Sequence, residues 1–191
     1  MGDRFQDAAA PQTLSPEDEA DLIRAAQTNP ARFRPLYLKW VTPVYKYLFA
    51  RLRDPLEAED VTSQVFLTAC ETLPRYDHRG RFAASLFTIA RHKALDHYRI
   101  AGRSVSLDEI AAHGSDPDLL GQAIRSDEIQ RLDRTIRALP EADLDLVRLR
   151  FTAGLTYGEL GALLGKRSEA VRKQLERLLA RMQSQMEDDN A

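Results

Sequence analysis

Arg172, Lys173, Gln174, Arg177 and Arg181 crowd one short basic stretch near the C-terminal end of the chain. Guanidinium, ammonium and carboxamide groups clustered in this way are the side chains of a nucleic-acid surface. They belong to the segment Leu155–Arg181, which reads as two short helices joined by a tight turn. Thr156 followed three residues on by Glu159 is a capping box. Leu160, Leu163 and Leu164 then share one face, and Gly165 supplies the left-handed turn that ends the helix. Ser168 is placed to cap the second helix, whose apolar stripe is Val171, Leu175, Leu178 and Leu179. A helix packed by one face and basic on the other is the second element of a helix-turn-helix, the one that enters the DNA major groove. A basic amphipathic helix alone is as readily a solvated face. The capped first helix, the glycine turn and the second cap together favour the DNA-binding reading.

Two other stretches carry chemistry. Arg75-Tyr76-Asp77-His78-Arg79-Gly80-Arg81-Phe82 is a loop that is both basic and aromatic. Glu57, Glu59 and Asp60 gather at the N-terminal end of a helix, where the helix dipole favours anions. Nothing resembles an enzyme's constellation of nucleophile, base and orienting group. His78, His92, His97 and His113 are scattered, and no Ser or Cys stands beside them in a recognisable pattern. His92 and His97 are five residues apart on a helix, not four, so no metal site is expected there. No cofactor is expected, and no glycine pattern suggests a nucleotide cradle.

The 191 residues allow one ordinary domain or two small ones. A charged fraction of 29% and a hydrophobic fraction of 43% describe a soluble globular chain, expected in the cytoplasm. The net charge of −2 means that any nucleic-acid affinity comes from local patches. The lone Cys70 excludes an intramolecular disulfide and reads as a small core residue. Met1–Thr13 has no long apolar run, so no signal peptide is expected, and no stretch is long and apolar enough for membrane insertion.

Helix punctuation orders the rest. Residues 1–14 read as a disordered leader, and Ser15-Pro16-Glu17-Asp18 as a helix start. Asn29-Pro30 breaks the pattern, which resumes with Phe33, Leu36, Tyr37 and Trp40. Thr42-Pro43 reads as a new cap and first-turn proline, not a proline in mid-helix. Asp54-Pro55-Leu56-Glu57 repeats the device and starts a helix that carries Val61, Val65, Phe66 and Ala69 inward and stops at Leu73-Pro74. Residues 83–100 are helical, with Leu86, Phe87, Ile89, Ala90, Ala94, Leu95 and Tyr98 packed. Residues 101–125 are rich in Gly, Ser, Asp and Pro and read as a linker, with short helical turns over 107–110 and 119–123. A helix over 126–138 places Ile129, Leu132 and Ile136 on one face; the next, from Leu139-Pro140, holds Leu144, Val147, Leu149 and Phe151. Residues 184–191 read as a fraying polar tail. The expected fold is all-α: one helical domain over 15–100, a linker, and a second over 126–183.

In Glu57-Ala58-Glu59-Asp60 to Phe66, and in Leu86-Phe87-Thr88-Ile89-Ala90-Arg91-His92-Lys93-Ala94-Leu95-Asp96, the chain resembles bacterial RNA polymerase sigma factors. The class is the small two-domain extracytoplasmic-function group (group IV) of the sigma-70 family. Its usual patterns are D-A-E-D-L-V-Q-E-x-F and W-L-x-x-I-A-R-N-x-x-L-D. Leu139-Pro140, the stretch G-L-T-Y-G-E-L-G-A-L-L-G and the helix S-E-A-V-R-K-Q-L-E-R-L resemble the same class, in order, over about residues 17–181. The sequence departs at Ser63-Gln64, where Gln-Glu is usual, and at Cys70 and Ser85, where tryptophans are usual. Gly158 and Gly161 fall inside the first helix of the helix-turn-helix; the second is where a small residue lets two helices approach.

The resemblance implies a division of labour. Glu57, Glu59, Asp60 and Gln64 would face a basic coiled coil on the beta-prime clamp of core RNA polymerase, with Asp60 and Gln64 foremost. The first domain (sigma region 2) would engage the minus-ten element, Tyr76, His78, Arg79 and Arg81 offering stacking and cations. Arg91, His92, Lys93 and Arg99 would hold the strand backbone, while Phe82 is better placed for packing. The second domain (sigma region 4) would read the minus-thirty-five element in duplex form. Arg172, Lys173 and Gln174 would meet base edges, with Ser168 at the helix start; Arg167, Arg177 and Arg181 would hold phosphates. The beta flap and an anti-sigma factor are further partners the resemblance suggests. Two rival readings are a helix-turn-helix regulator that acts without polymerase and a sigma mimic that titrates an anti-sigma factor.

Overall fold

The computed structural model describes residues 16–77, 81–100 and 127–188. The regular structure among them is helical and falls into two units, Met1–Ser104 and Val105–Ala191. Expectations for the leader, the Ser15 cap, His78, Arg79, the linker with its helical turns and His113 lie outside the described residues.

In the first unit, α1 (Pro16–Thr28) leads through a 3-10 turn (Pro30–Phe33) into α2 (Arg34–Leu52), followed by α3 (Pro55–Thr72). A second 3-10 turn (Leu73–Arg75) precedes α4 (Phe82–Ile100). Asp54 caps as the sequence suggests, its Oδ1 accepting from the Glu57 amide at 2.9 Å; Asn29, read only as a break, also caps, its Oδ1 accepting from the Ala31 amide at 3.0 Å. α2 packs on α3 and α4, and α3 on α4. Their shared core holds Leu36, Val44, Tyr47, Leu48, Val61, Val65, Leu86 and Phe87. The Phe87 ring takes Tyr47 and Trp40 edge-on, at centroid distances of 5.6 and 6.2 Å. α1 is tied to α2 by Glu19 Oε1, which accepts from Lys39 Nζ at 2.7 Å and Trp40 Nε1 at 2.9 Å.

Pro43 corrects the reading of a helix break at Thr42-Pro43: α2 runs through it. The proline removes one backbone donor and its ring crowds the preceding turn, at a cost of about 3 kcal/mol. Trp40 and Val41 before it, and Val44, Tyr47 and Leu48 after it, are all buried along the same helix. Each such burial is worth about 1.5–3 kcal/mol, so continuity wins. Cys70 is a second correction, since it is exposed. α3's inward line is Ala58, Val61, Val65, Phe66 and Ala69; Cys70 follows Ala69 by one residue and turns off it.

The second unit contains α5 (Asp127–Arg137), α6 (Glu141–Val147), α7 (Tyr157–Leu164) and α8 (Ser168–Asp188). One π-helical turn, Arg148–Thr152, follows α6. Its core is Leu139, Leu146, Leu149, Leu155, Leu160, Val171, Leu175, Leu178 and Met182. Three apolar residues of the expected faces, Leu132, Phe151 and Leu179, are exposed instead. The wider π turn re-phases the side chains after Val147, which is where the simple helical reading of Phe151 fails. Asp145 and Arg148 are buried, and Arg148 Nη1 donates to Glu141 Oε1 at 3.1 Å. α8 continues through Ser184, where a tail was expected, to Asp188.

Candidate functional site

α3 sorts its polar residues by face. Leu56, Asp60, Ser63 and Leu67 recur at four-, three- and four-residue intervals, directly opposite the buried line. Leu56 is 75% exposed and Leu67 64%, unusual for leucines on a helix already packed by its other face. Between them Gln64 Nε2 donates to Asp60 Oδ2 at 2.9 Å, so the two foremost polymerase candidates form one exposed polar pair. Glu59 is exposed beside them and, together with burial, holds the Tyr45 phenol above its ordinary pKa, burial being the larger cause. Glu57 differs: its Oε2 lies 3.2 Å from His97 Nε2 on α4, and both side chains are largely covered. The structure therefore groups Glu59, Asp60 and Gln64 and turns Glu57 toward the domain interior. Leu56 and Leu67 escaped the sequence reading, although their spacing from Asp60 was the signal.

The segment leaving α3 is held from below. Gln27 Nε2 on α1 donates to the carbonyls of Leu73 at 3.0 Å and Tyr76 at 2.8 Å. The Tyr76 ring meets Phe82 edge-on at 5.8 Å, and Phe82 is buried, as its packing role required. Partial burial raises the Tyr76 phenol pKa, against a hydrogen bond from the Arg81 backbone that lowers it. A shallow pocket beside this ring pair is lined by Ala69, Leu73, Tyr76, Phe82, Ser85 and Ile89. Arg81 is exposed next to it. On α4, His92 and Arg99 share the outward face, with Arg99 3.4 Å from Asp96. Arg91 and Lys93 are two residues apart, about 200° around the helix, so they flank that face on opposite sides. Gln27 is a tertiary contact the sequence did not single out; its hydrogen bonds span 46 and 49 residues of chain.

The helix-turn-helix forms as read. Thr156 Oγ1 accepts from the Glu159 amide at 3.2 Å, and the Thr156 amide donates to Glu159 Oε2 at 2.7 Å. Gly165 ends α7 at φ +65°. Gly161 has a physical reason: a Cβ there would lie 2.7 Å from the Lys166 carbonyl oxygen and 3.2 Å from the Ser168 nitrogen. At Gly158 a Cβ would meet only Thr156 Oγ1, at 3.8 Å. Ser168 is the first residue of α8, not the residue before it; the Arg167 carbonyl accepts from the Val171 amide at 3.1 Å and closes the first turn.

The outward face of α8 corrects the basic reading, because it is mixed in charge. Glu169, Lys173 and Glu176 stand opposite the buried Val171, Leu175, Leu178 and Met182. Arg172, on the flank, is engaged on both sides. Its Nε and Nη2 donate to the two Glu169 oxygens at 3.0 and 2.6 Å, and its Nη1 to Glu176 Oε1 at 2.5 Å. These carboxylates raise the guanidinium pKa, and the Arg172 hydrogen bond lowers that of Glu169. Lys173 Nζ is 3.9 Å from Glu169. Gln174 Oε1 accepts from Lys166 Nζ at 2.8 Å, and Arg181 is paired with Asp143 at 3.0 Å. Arg167 and Arg177 are exposed.

Among the described residues no group of His, Cys, Asp or Glu is arranged to hold a metal ion, and no helix is long and apolar enough to cross a membrane. The regular structure of the described residues is helical and lies in two units, one ending in a capped helix-turn-helix. The Sigma-70 region 2 family matches residues 36–104. Over 153 residues the chain is 34% identical to the ECF RNA polymerase sigma factor SigD of Mycobacterium tuberculosis, covering 75% of this chain and 71% of that one. It is 30% identical over 164 residues to the ECF RNA polymerase sigma factor BldN of Streptomyces coelicolor, covering 80% of this chain and 60% of BldN. The solved structure of CnrH in complex with the cytosolic domain of CnrY shares the fold, with a TM-score of 0.63 and 21% identity over 89% of this chain and 97% of that one. The chain belongs to the ECF RNA polymerase sigma factors.

Proposed function

We propose that this sigma factor docks on core RNA polymerase through the outward face of α3 and then uses its two units to bring the enzyme to two promoter elements. The observation that carries the docking face is the stripe Leu56, Asp60, Ser63, Leu67, with Gln64 bonded to Asp60. Two exposed leucines flanking a polar pair at coiled-coil spacing suit a helical partner, such as the coiled coil of the beta-prime clamp. The acidic side chains Glu59 and Asp60 suit a basic one. Glu57 contributes by ordering the start of α3 against His97.

The segment Tyr76–Phe82 and the outward face of α4 engage the minus-ten element. The Tyr76–Phe82 pair and the shallow pocket beside it offer an apolar seat, with Arg81 and Arg99 as exposed cations and His92 as an exposed polar ring. α8 reads the minus-thirty-five element, with Lys173, Arg177 and Arg167 available to phosphates and bases. Two contacts carried on one chain gain affinity through effective concentration. An anti-sigma factor and the beta flap are further partners in this reading.

Co-purification with core polymerase, followed by run-off transcription on a genomic promoter library, tests the proposal. Asp60→Lys should abolish polymerase binding, whereas charge reversal at Lys173 should abolish cognate transcription and spare polymerase binding. Loss of polymerase binding in the Lys173 variant would overturn the division between units.

A further inference from the structure

We propose that Glu19 is a positioning residue for promoter opening, tying α1 to the core of the first unit so that α1 holds Tyr76 where an unpaired base can stack on it. The inference rests on the reading of the Tyr76–Phe82 segment as the minus-ten contact and names what sets its geometry.

α1 is attached by polar ties as well as by its apolar face. Ile23 and Ala26 are buried, and Glu19 and Gln27 bracket them along the helix. At one end Glu19 Oε1 accepts from Lys39 Nζ at 2.7 Å and from Trp40 Nε1 at 2.9 Å. At the other, Gln27 Nε2 donates to the Leu73 and Tyr76 carbonyls. Residues eight apart are separated by about 12 Å along a helix. Two directional ties that far apart fix where the helix axis points. The apolar contacts of Ile23 and Ala26 are non-directional and set only its depth.

Glu19 is the charged tie of the two. Its carboxylate meets an ammonium with both side chains largely covered, 14% exposed for Glu19 and 19% for Lys39, so the bond is charge-assisted and weakly screened. The donors are anchored in turn. Trp40 is buried, its indole stands edge-on to Phe87 of α4 at 6.2 Å, and Lys39 Nζ lies 5.0 Å from the same indole. A line of contacts thus runs from Phe87 through Trp40 and Glu19 into α1, and out through Gln27 to the Tyr76 backbone. The Tyr76 ring stands at its end, against Phe82 at 5.8 Å. Glu19 is also close enough for its charge to reach that ring: burial chiefly raises the Tyr76 phenol pKa, and the Glu19 carboxylate raises it further. Loss of the carboxylate takes a shared acceptor from the Lys39 ammonium and the Trp40 indole N–H and releases α1 near its start. Gln27 alone then carries the orientation of the Tyr76 backbone.

The test uses holoenzyme made from core polymerase and the full chain, on a duplex promoter at saturating core enzyme, with permanganate reactivity of the minus-ten thymines as the readout. Glu19→Ala should lower opening by up to about tenfold, the scale of one net hydrogen bond, with core-enzyme affinity unchanged. Glu19→Gln should open like the parent, because the carboxamide oxygen offers both donors the same acceptor. Glu19→Ala combined with Gln27→Ala should open no less than the more impaired single variant, because both act through α1; independent effects would multiply. Circular dichroism at the assay temperature checks folding. If Glu19→Ala is unfolded there, Trp40→Phe takes its place: it keeps a ring in the core, removes one donor to Glu19 and should lower opening several-fold. Parental opening in Glu19→Ala or its stand-in, opening as poor in Glu19→Gln as in Glu19→Ala, or multiplied losses in the double variant would overturn the positioning role. Tyr76→Leu separates that failure from failure of the underlying reading. Impaired opening in Tyr76→Leu with parental opening in Glu19→Ala strikes the role of Glu19 alone, whereas parental opening in Tyr76→Leu brings down the minus-ten reading of the segment and this inference together.

Discussion

Gln27 on α1 and Tyr76 beyond α3 are joined by a 2.8 Å hydrogen bond from the Gln27 amide to the Tyr76 carbonyl, with a companion of 3.0 Å to the Leu73 carbonyl. One side chain thus holds both ends of the 3-10 turn from which the proposed minus-ten loop departs. The start of that segment is positioned by a helix remote in sequence.

Gln27→Ala should therefore act on promoter opening. Removing two hydrogen bonds to partly buried carbonyls should lower stability by about 1–3 kcal/mol. Permanganate footprinting of the melted region should show opening reduced several-fold, with polymerase affinity unchanged. Gln27→Glu should behave like Ala, since a carboxylate cannot donate to either carbonyl. A stability loss with full opening would confine Gln27 to scaffolding.

Leu56→Ala and Leu67→Ala separate docking from folding. Both side chains lie in solvent, so unfolding free energies should stay within about 0.5 kcal/mol of the parent. Each should weaken core polymerase binding about tenfold or more, as truncating an interface anchor does. Surface plasmon resonance against immobilised core enzyme reads this directly; unaltered dissociation constants would remove the leucines from the interface.

The Glu169 carboxyl should titrate below the ordinary glutamate range, because Arg172 hydrogen-bonds its charged form. The sign follows from linkage: a folded-state pKa lowered below the unfolded one makes the pair's contribution complete above the unfolded value. It is lost as pH falls through the lowered folded value. Carbon-detected NMR titration should show the Glu169 midpoint moving up toward the ordinary value in Arg172→Ala. An identical midpoint in both proteins would mean the pair does not persist in solution.

Much of this architecture was legible because it is local. Thr156 with Glu159, Gly165 and Asp54 act within three or four residues, and each does what its type and spacing dictate. Pro43 was misread because the packing that carries α2 through it is contributed by α3 and α4, far along the chain. Ser168 was misplaced by one residue, since the turn packed closely on Gly161 carries the chain into α8 at Ser168 itself. The site was harder to read than the fold. Residue types identified Arg172 but not its engagement by Glu169 and Glu176, since counting positive charges on a helix ignores the carboxylates at three- and four-residue spacing. Gln27 left no sequence signal, because its partners are backbone carbonyls.

The two glycines of α7 should respond oppositely to the same substitution. Gly161→Ala places a Cβ 2.7 Å from the Lys166 carbonyl oxygen, a backbone atom that cannot step aside without moving the turn. Overpacking of this kind costs about 1–3 kcal/mol. Gly158→Ala meets nothing closer than 3.8 Å, at a position with ordinary helical backbone. It gains the difference in helix propensity between alanine and glycine, about 0.5–1 kcal/mol of added stability. Urea denaturation of the two variants against the parent checks both signs. Because Gly161 also sets the start of α8, Gly161→Ala should further blur the base preference at the minus-thirty-five element, while Gly158→Ala leaves it intact. Equal destabilisation by both variants would mean that glycine is required along the whole helix and not at the one point where the backbones touch.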